Sequence, residues 1–276
     1  MNIGVVGLGL IGGSLVKSAK KNTNFKVYGY DINHEVVRCA LSEGSIDGEL
    51  TTKNLKKCDY VFIPLYPESV ISYVENNAEF FKDGAVVIDC AGVKRSVCDK
   101  CFELAEKNNF SFVGGHPMAG TQFSGFENSK DTMFYNAPFV LTPKENEDIL
   151  TLANAREVIM KLGFGRVSVM TPQKHDKLIA FTSQLAHIVS NAYVKSPSAL
   201  ERKGISAGSY KDLTRVAYLN ENMWTELFLE NKENLIFELD NIISELRKYS
   251  EAMKNNDAEE LKQLLKEGKE MKLKAD

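Results

Sequence analysis

With 276 residues, 43% hydrophobic and 26% charged, the chain has the composition of a globular protein long enough for two domains. Its 34 Lys and Arg against 37 Asp and Glu leave a net charge of −3, which gives no bulk pull toward nucleic acid. No apolar run is long enough to predict a membrane span, and five cysteines at irregular spacing suit a reducing, cytoplasmic setting better than a disulfide framework.

The chain opens on a predicted strand, Ile3-Gly4-Val5-Val6, too interrupted by glycine and too poor in leading basic residues for a signal peptide. It runs directly into Gly7-Leu8-Gly9-Leu10-Ile11-Gly12, a G-x-G-x-x-G that opens a helix, and the next strand ends in Asp31. Strand, glycine turn, helix and a following acid make a dinucleotide-binding fingerprint, with residues 7–12 and Asp31 as the cofactor contacts. Gly7 allows the tight turn, Gly9 lets the backbone approach a pyrophosphate, and Gly12 lets the helix pack close to the strand. The helix start offers free N–H groups and partial positive charge to phosphates. Asp31 can accept from both ribose hydroxyls and would repel a 2′-phosphate. No Arg follows it, so NAD is expected rather than NADP, with His34 the one residue against strictness.

Five more apolar runs follow, DYVFIPL, AVVIDCA, FSFVGG, PFVLTP and GRVSVMTP, each separated by helical pattern or turns. This predicts a parallel sheet covered on both faces, with the last strands turning antiparallel at the edge. The loops after the strands should face the ligand, which adds Pro64 and Leu65 to the cofactor contacts and places Ala91-Gly92 and the stretch GGHPMAGTQFSGFE (114–127) on the same edge. Cys98-x-x-Cys101 has redox or metal spacing, but no second pair stands near it. It reads as one face of an amphipathic helix, and no metal is expected. His116, held at the end of a strand and followed by Pro117, is the candidate general base. A neutral imidazole near its ordinary pKa takes a proton from a hydroxyl as the same carbon gives up hydride. The plainer alternative is a histidine that only ties the loop together.

After Thr171 the β pattern stops. Residues 173–195 read as one long helix on which Ala180, Ser183, His187 and Asn191 share a face, a small polar stripe suited to a cavity wall. Taken alone, His187 is more simply a core histidine. Arg215, in GSYKDLTRVA (208–217), could clamp a carboxylate through two parallel hydrogen bonds. Leu235, Leu239, Ile242, Leu246, Tyr249 and Met253, then Leu261, Leu264 and Leu265, recur at helical spacing. The expected plan is an α/β Rossmann-type dinucleotide-binding domain over residues 1–170, followed by an all-α domain over 171–276 that dimerises with a second copy.

Four stretches, GLGLIGGSL (7–15), HPMAGTQFSG (116–125), SQLAH (183–187) and GSYKDLTRVA (208–217), followed by Met223-Trp224, together resemble the prephenate dehydrogenase family, in its order and over nearly the whole chain. The resemblance implies NAD-linked oxidative decarboxylation of prephenate to 4-hydroxyphenylpyruvate, on the route to tyrosine. It makes His116 the base on the 4-hydroxyl and Arg215 the substrate-carboxylate ligand. Thr121, Ser183 and His187 would line the pocket, and Asp212 and Trp224 would lie near its mouth. Three positions depart from the family pattern. Gly92 stands where many relatives have a serine that helps hold the catalytic histidine or the hydroxyl, which leaves that task to water or cofactor. Gln184 stands where a histidine is frequent, and Gln122 where a glutamate is frequent. Arogenate, with an amine in place of the keto group, is the alternative substrate. A β-hydroxyacid dehydrogenase would instead use a lysine of the helical half, Lys174 or Lys177, and a sensor would bind the dinucleotide without turnover. No appended regulatory domain is expected after the last helix, and no membrane or nucleic-acid partner.

Overall fold

The computed structural model describes residues 1–202, 204–205 and 207–275. Eight strands form one sheet: β1 (Asn2–Val6), β2 (Lys26–Tyr30), β3 (Gly48–Glu49), β4 (Tyr60–Ile63), β5 (Val86–Asp89), β6 (Ser111–Pro117), β7 (Pro138–Thr142) and β8 (Arg166–Val169). Their order across the sheet is β3-β2-β1-β4-β5-β6-β7-β8. Neighbours are parallel except β6 and β7, so the expected antiparallel edge is present. The two-residue β3, which bonds to β2 at the far edge, is too short to show any period in the sequence. The order reverses between β1 and β4, and such a switch point opens a crevice at the carboxyl ends of the strands.

Between the strands run α1 (Leu10–Asn22), α2 (His34–Ser42), α3 (Thr52–Leu55), α4 (Pro67–Asn77), α5 (Arg95–Asn108) and α6 (Ile149–Lys161). Alternate residues of the central strands feed opposite faces of the sheet. Ile3, Val5, Tyr60, Phe62, Val86 and Ile88 pack with Leu15 and Val16 of α1, Val37 of α2, and Val158 and Ile159 of α6. Val61, Ile63 and Val87 pack on the other face with Val70 and Val74 of α4, and with Val97, Cys98 and Cys101 of α5. Each fully buried side chain of this size contributes roughly 1.5–3 kcal/mol, so both layers hold the crevice rigid. Cys98 and Cys101 are thus core residues, and burial pushes the Cys98 thiol up to about 12. Among the described residues no group of three or more His, Cys, Asp or Glu could hold a metal ion.

The strand that carries His116 changes partners along its length. Ser111, Phe112 and Val113 pair in parallel with β5, and Gly114 to Pro117 pair antiparallel with Phe139 to Thr142 of β7. Pairing with β7 extends the strand through His116, which therefore lies within regular sheet and not after it.

The sheet ends at Val169, and only helices follow: α7 (Pro172–Ile179), α8 (Ala186–Tyr193), α9 (Ser198–Glu201), α10 (Gly208–Thr214), α11 (Glu221–Glu230), α12 (Lys232–Lys254) and α13 (Ala258–Ala275). Thr171 caps α7 by accepting from Lys174 N, and Pro172 occupies its first turn. The single α-helix expected over 173–195 is corrected. A π-helical turn over residues 180–185 joins α7 to α8, and the run stops at Tyr193. The wide turn shifts the phase: Gln184 and Leu185 take the buried face, and Ser183 and His187 move to its half-buried edge. On α12 and α13, Leu235, Ala252 and Leu264 are buried, while Phe237, Leu246, Met253 and Leu265 stay exposed. No helix among the described residues is long and apolar enough to cross a membrane.

Candidate active site

The glycine turn has the shape its sequence requires. Gly7 holds a positive φ of 94°, and its N–H donates to Tyr30 O at 2.7 Å. A Cβ on Gly12 would lie 1.7 Å from Gly7 O and 3.0 Å from Pro64 Cγ, while one on Gly9 would meet no protein atom within 4 Å. Gly9 is also the N-cap of α1 and offers no capping side chain. The first N–H groups of a 13-residue helix thus face open space where a Cβ is missing. Phosphate needs that arrangement. Pro64 and Leu65 pack against Gly7 and Gly12, so the loop after β4 adjoins the turn as expected. Leu10 and Ile11 are half-buried on the first turn of α1. Leu8 has a different part: its side chain is buried in the core, and its N–H donates to Asp31 Oδ2 at 2.7 Å. Asn33 N donates to Asp31 Oδ1 at 2.9 Å. These two bonds aim the carboxylate at the end of β2, with lone pairs left for ribose hydroxyls. The residues present suit NAD.

His116 stands three strands along the same edge from β1, roughly 14 Å at ordinary strand spacing. Its predecessor is clamped on both sides. Gly115 N donates to Asp89 Oδ1 at 3.0 Å, and Gly115 O accepts from Lys94 Nζ at 2.7 Å. Lys94 and Asp89 form a fully buried ion pair with each other. A Cβ on Gly115 would lie 2.4 Å from Asp89 O, so only glycine fits between β5 and β7 here.

The ring of His116 is backed by a second histidine. Its Nδ1 lies 2.9 Å from His175 Nε2, and His175 Nδ1 lies 2.8 Å from Asp176 Oδ1. Asp176 also accepts from Lys94 N at 2.7 Å and Arg95 N at 2.9 Å, which docks α7 on the start of α5. His175 and Asp176 are each 1% exposed. Burial first, then His175 and Lys94, push the His116 pKa well below 6.5. The ordinary pKa expected from sequence is therefore corrected: low dielectric and a neighbouring ammonium both disfavour the imidazolium. His175 is lowered too, chiefly by burial, with Asp176 opposing. Sequence reading passed over His175, Asp176, Asp89 and Lys94. The one signal was that His175 and Asp176 fall in phase with Pro172, Ile179 and Ala180 on the apolar face of the helix.

The same run of helix carries Ser183 and His187 two to three turns beyond His175. His187 Nδ1 lies 2.8 Å from Ser183 O, and its ring sits on Trp224 with centroids 4.0 Å apart. Its pKa is lowered, mostly by burial and in part by the nearby Arg215. Arg215 caps the end of α10, is exposed, and has no ion-pair partner among the described residues. Asn191 ties α8 to this segment by donating to Ala217 O at 3.2 Å. Ser183, His187, Trp224 and Arg215 thus gather at one place. Thr121 does not join them through any bond: it is exposed, and its hydroxyl is engaged with Phe123 of its own loop. Asp212 and Gln122 are also exposed.

The other departures have structural accounts. Gln184 is buried and is a strut, donating to Leu227 O at 2.9 Å and accepting from Asn231 Nδ2 at 2.8 Å. A Cβ on Gly92 would lie 3.3 Å from both methyl carbons of Leu227, so α11 leans directly on that backbone. On its Nδ1 side His116 is held by His175. Lys174 and Lys177, the candidates of the hydroxyacid alternative, are exposed.

A glycine turn that opens a helix at the switch point, an acid at the end of the next strand and a half-buried imidazole on the same edge, followed by a helical domain, are the parts of a dinucleotide-dependent dehydrogenase. Comparison with known proteins agrees. Residues 15–175 match the model of the prephenate dehydrogenase nucleotide-binding domain, and residues 171–267 match that of the prephenate dehydrogenase dimerization domain. The chain is 30% identical to the prephenate dehydrogenase of Bacillus subtilis, over 96% of this chain and 74% of that one. Among solved structures, prephenate dehydrogenase from A. aeolicus in complex with hydroxyphenyl propionate and NAD+ is 31% identical, with a TM-score of 0.86 over 100% of this chain and 98% of that one. Arogenate dehydrogenase from Synechocystis is 27% identical, with a TM-score of 0.84 over the whole of both chains. The chain belongs to the prephenate dehydrogenase family of oxidoreductases.

Proposed function

We propose that the chain catalyses the NAD-dependent oxidative decarboxylation of prephenate to 4-hydroxyphenylpyruvate. The observation that carries this reading is His116: a neutral, rigidly backed imidazole on the cofactor edge of the sheet. The A. aeolicus relative holds NAD+ together with a hydroxyphenyl acid, and a ring of that kind would lie between His116 and the cluster of His187, Trp224 and Arg215. When bound, NAD supplies the hydride acceptor. His116 takes the proton of the 4-hydroxyl as the hydrogen on C4 leaves as hydride. The bond from C1 to its carboxylate then breaks, its electron pair enters the ring, carbon dioxide departs, and the proton held on His116 can return to the phenolate oxygen. Aromatisation drives the step, so the residues mainly orient the reactants and hold one proton. Arg215, with no ion-pair partner among the described residues, grips the acid end of the substrate, and Ser183, His187 and Thr121 line its path.

Residues 1–170 would then serve the cofactor and residues 171–276 the substrate. The exposed apolar residues of α12 and α13 would bury against a second copy. A cytoplasmic site of action suits the five free thiols and the pathway of the relatives. A second reading, arogenate, draws on His187: with Nδ1–H given to Ser183 O, the neutral ring offers an acceptor at Nε2, which suits an ammonium better than a keto oxygen. NADH formation measured with prephenate and with arogenate, each with NAD and NADP, tests both. Turnover with neither substrate refutes the proposal.

A further inference from the structure

We infer that His175 and Asp176 are a positioning pair that fixes the tautomer and ring orientation of His116 from across the domain junction. This rests on the reading of His116 as the base. The logic is one of donors and acceptors. Asp176 is a carboxylate whose two oxygens already accept from Lys94 N and Arg95 N, so it can only accept from His175. The hydrogen of neutral His175 therefore sits on Nδ1, and its Nε2 is bare. A bare Nε2 at 2.9 Å from His116 Nδ1 requires the hydrogen of His116 to sit on Nδ1. The lone pair of His116 is then on Nε2, the nitrogen turned away from His175, where a substrate hydroxyl would be met. The opposite tautomer would set two lone pairs against each other at 2.9 Å beside a fully buried ring, the costly case for buried polar groups.

Charge points the same way. The groups facing His116 are His175 from α7 and Lys94 from the loop after β5, with Asp89 paired to Lys94 and Asp176 one ring further back. A positive His116 is opposed at rest by Lys94. Once the proton has been taken, the negative Asp176 stabilises the new charge through the intervening ring. Geometry fixes the ring as well: the two imidazoles meet edge to face, with centroids 5.1 Å apart and planes at 62°. Because His116 belongs to the sheet and its partners to the first helical turns after it, the base is set only when α7 is docked on α5.

The test uses the full-length protein with 15N-labelled histidine. Long-range proton–nitrogen spectra report which ring nitrogen carries the hydrogen, and His116→Asn identifies the signals of residue 116. The expected result is the Nδ1–H form in the wild type at neutral pH, with and without NAD. His175→Ala should give a mixture of forms, and His175→Gln, whose amide oxygen can accept the same hydrogen, should restore the wild-type form. In turnover, His175→Ala should lower kcat roughly 10–100-fold with KM and NAD affinity unchanged. His175→Gln should recover most of the rate. An Nε2–H form in the wild type, or a His175→Ala enzyme with wild-type tautomer and kcat, overturns the inference. Should His175→Ala fail to fold, the wild-type and His175→Gln spectra decide alone. Should the wild type show the Nδ1–H form yet turn over neither prephenate nor arogenate, the base reading fails and the positioning pair stands.

Discussion

Gly9 and Gly12 are two steps of one motif, and substituting each by alanine should give opposite signatures. A Cβ on Gly12 would sit 1.7 Å from Gly7 O, so the start of α1 must move by about 2 Å to reach ordinary contact. That movement disturbs the packing of Leu15 and Val16 on the sheet, and overpacking of this kind costs about 1–3 kcal/mol. A Cβ on Gly9 would meet no protein atom within 4 Å, and its extended backbone, φ −69° and ψ −155°, accepts any residue. Gly9→Ala should therefore cost at most about 1 kcal/mol as a poorer N-cap, while losing a charge-assisted bond to phosphate worth about 1.5–3 kcal/mol, or roughly 10–150-fold in NAD affinity. The assay pairs thermal melts of the apo protein with NADH fluorescence titrations. Gly12→Ala should lower both melting temperature and affinity, and Gly9→Ala affinity almost alone. A Gly9→Ala protein that binds NADH as tightly as the wild type would show that phosphate does not lie over that turn.

His116→Asn should keep NADH binding and lose about 10²–10⁴ in kcat, and near-normal turnover would remove His116 from the chemistry. Arg215→Ala should raise KM by roughly 10–150-fold through loss of a charged hydrogen-bond pair, with a smaller effect on kcat. An unchanged KM would place the substrate acid elsewhere. Because the base works when neutral and its pKa lies well below 6.5, kcat/KM should stay level from neutral pH down through 6.5 and fall only at lower pH. In that same window the unfolded chain binds more protons at His116, His175 and His187 than the native one, so stability should drop as pH falls below about 6.5. A profile with its acid limb at or above 6.5 contradicts the burial reasoning. Asn231→Ala removes a fully buried amide that donates to Asp176 O and Gln184 Oε1, both at 2.8 Å. Gln184 Oε1 is orphaned, while Asp176 O keeps its bond from Ala180 N. The loss should be about 1–3 kcal/mol, seen as a lower urea midpoint at unchanged slope, and a shift worth under about 0.5 kcal/mol would refute the accounting.

The sequence alone determined whatever depends on neighbours along the chain. The turn from Gly7 to Gly12 and the acid at Asp31 are legible because strand, turn, helix and next strand follow one another with little between them. His116 is legible because two glycines and a proline hold it at a strand end, and the switch from β to helical period is a change in local pattern. Tertiary structure decided what joins distant residues. The bond between His116 and His175 spans 59 positions, and no pattern in either segment announces the other. The π turn at 180–185 shifts the helix phase by one residue, enough to exchange the surroundings of Ser183 and Gln184, yet it leaves no trace in the spacing of apolar residues. The lowered pKa of His116 is likewise a property of the packed site. Desolvation and the Lys94 charge act through space, and only the fold sets those distances.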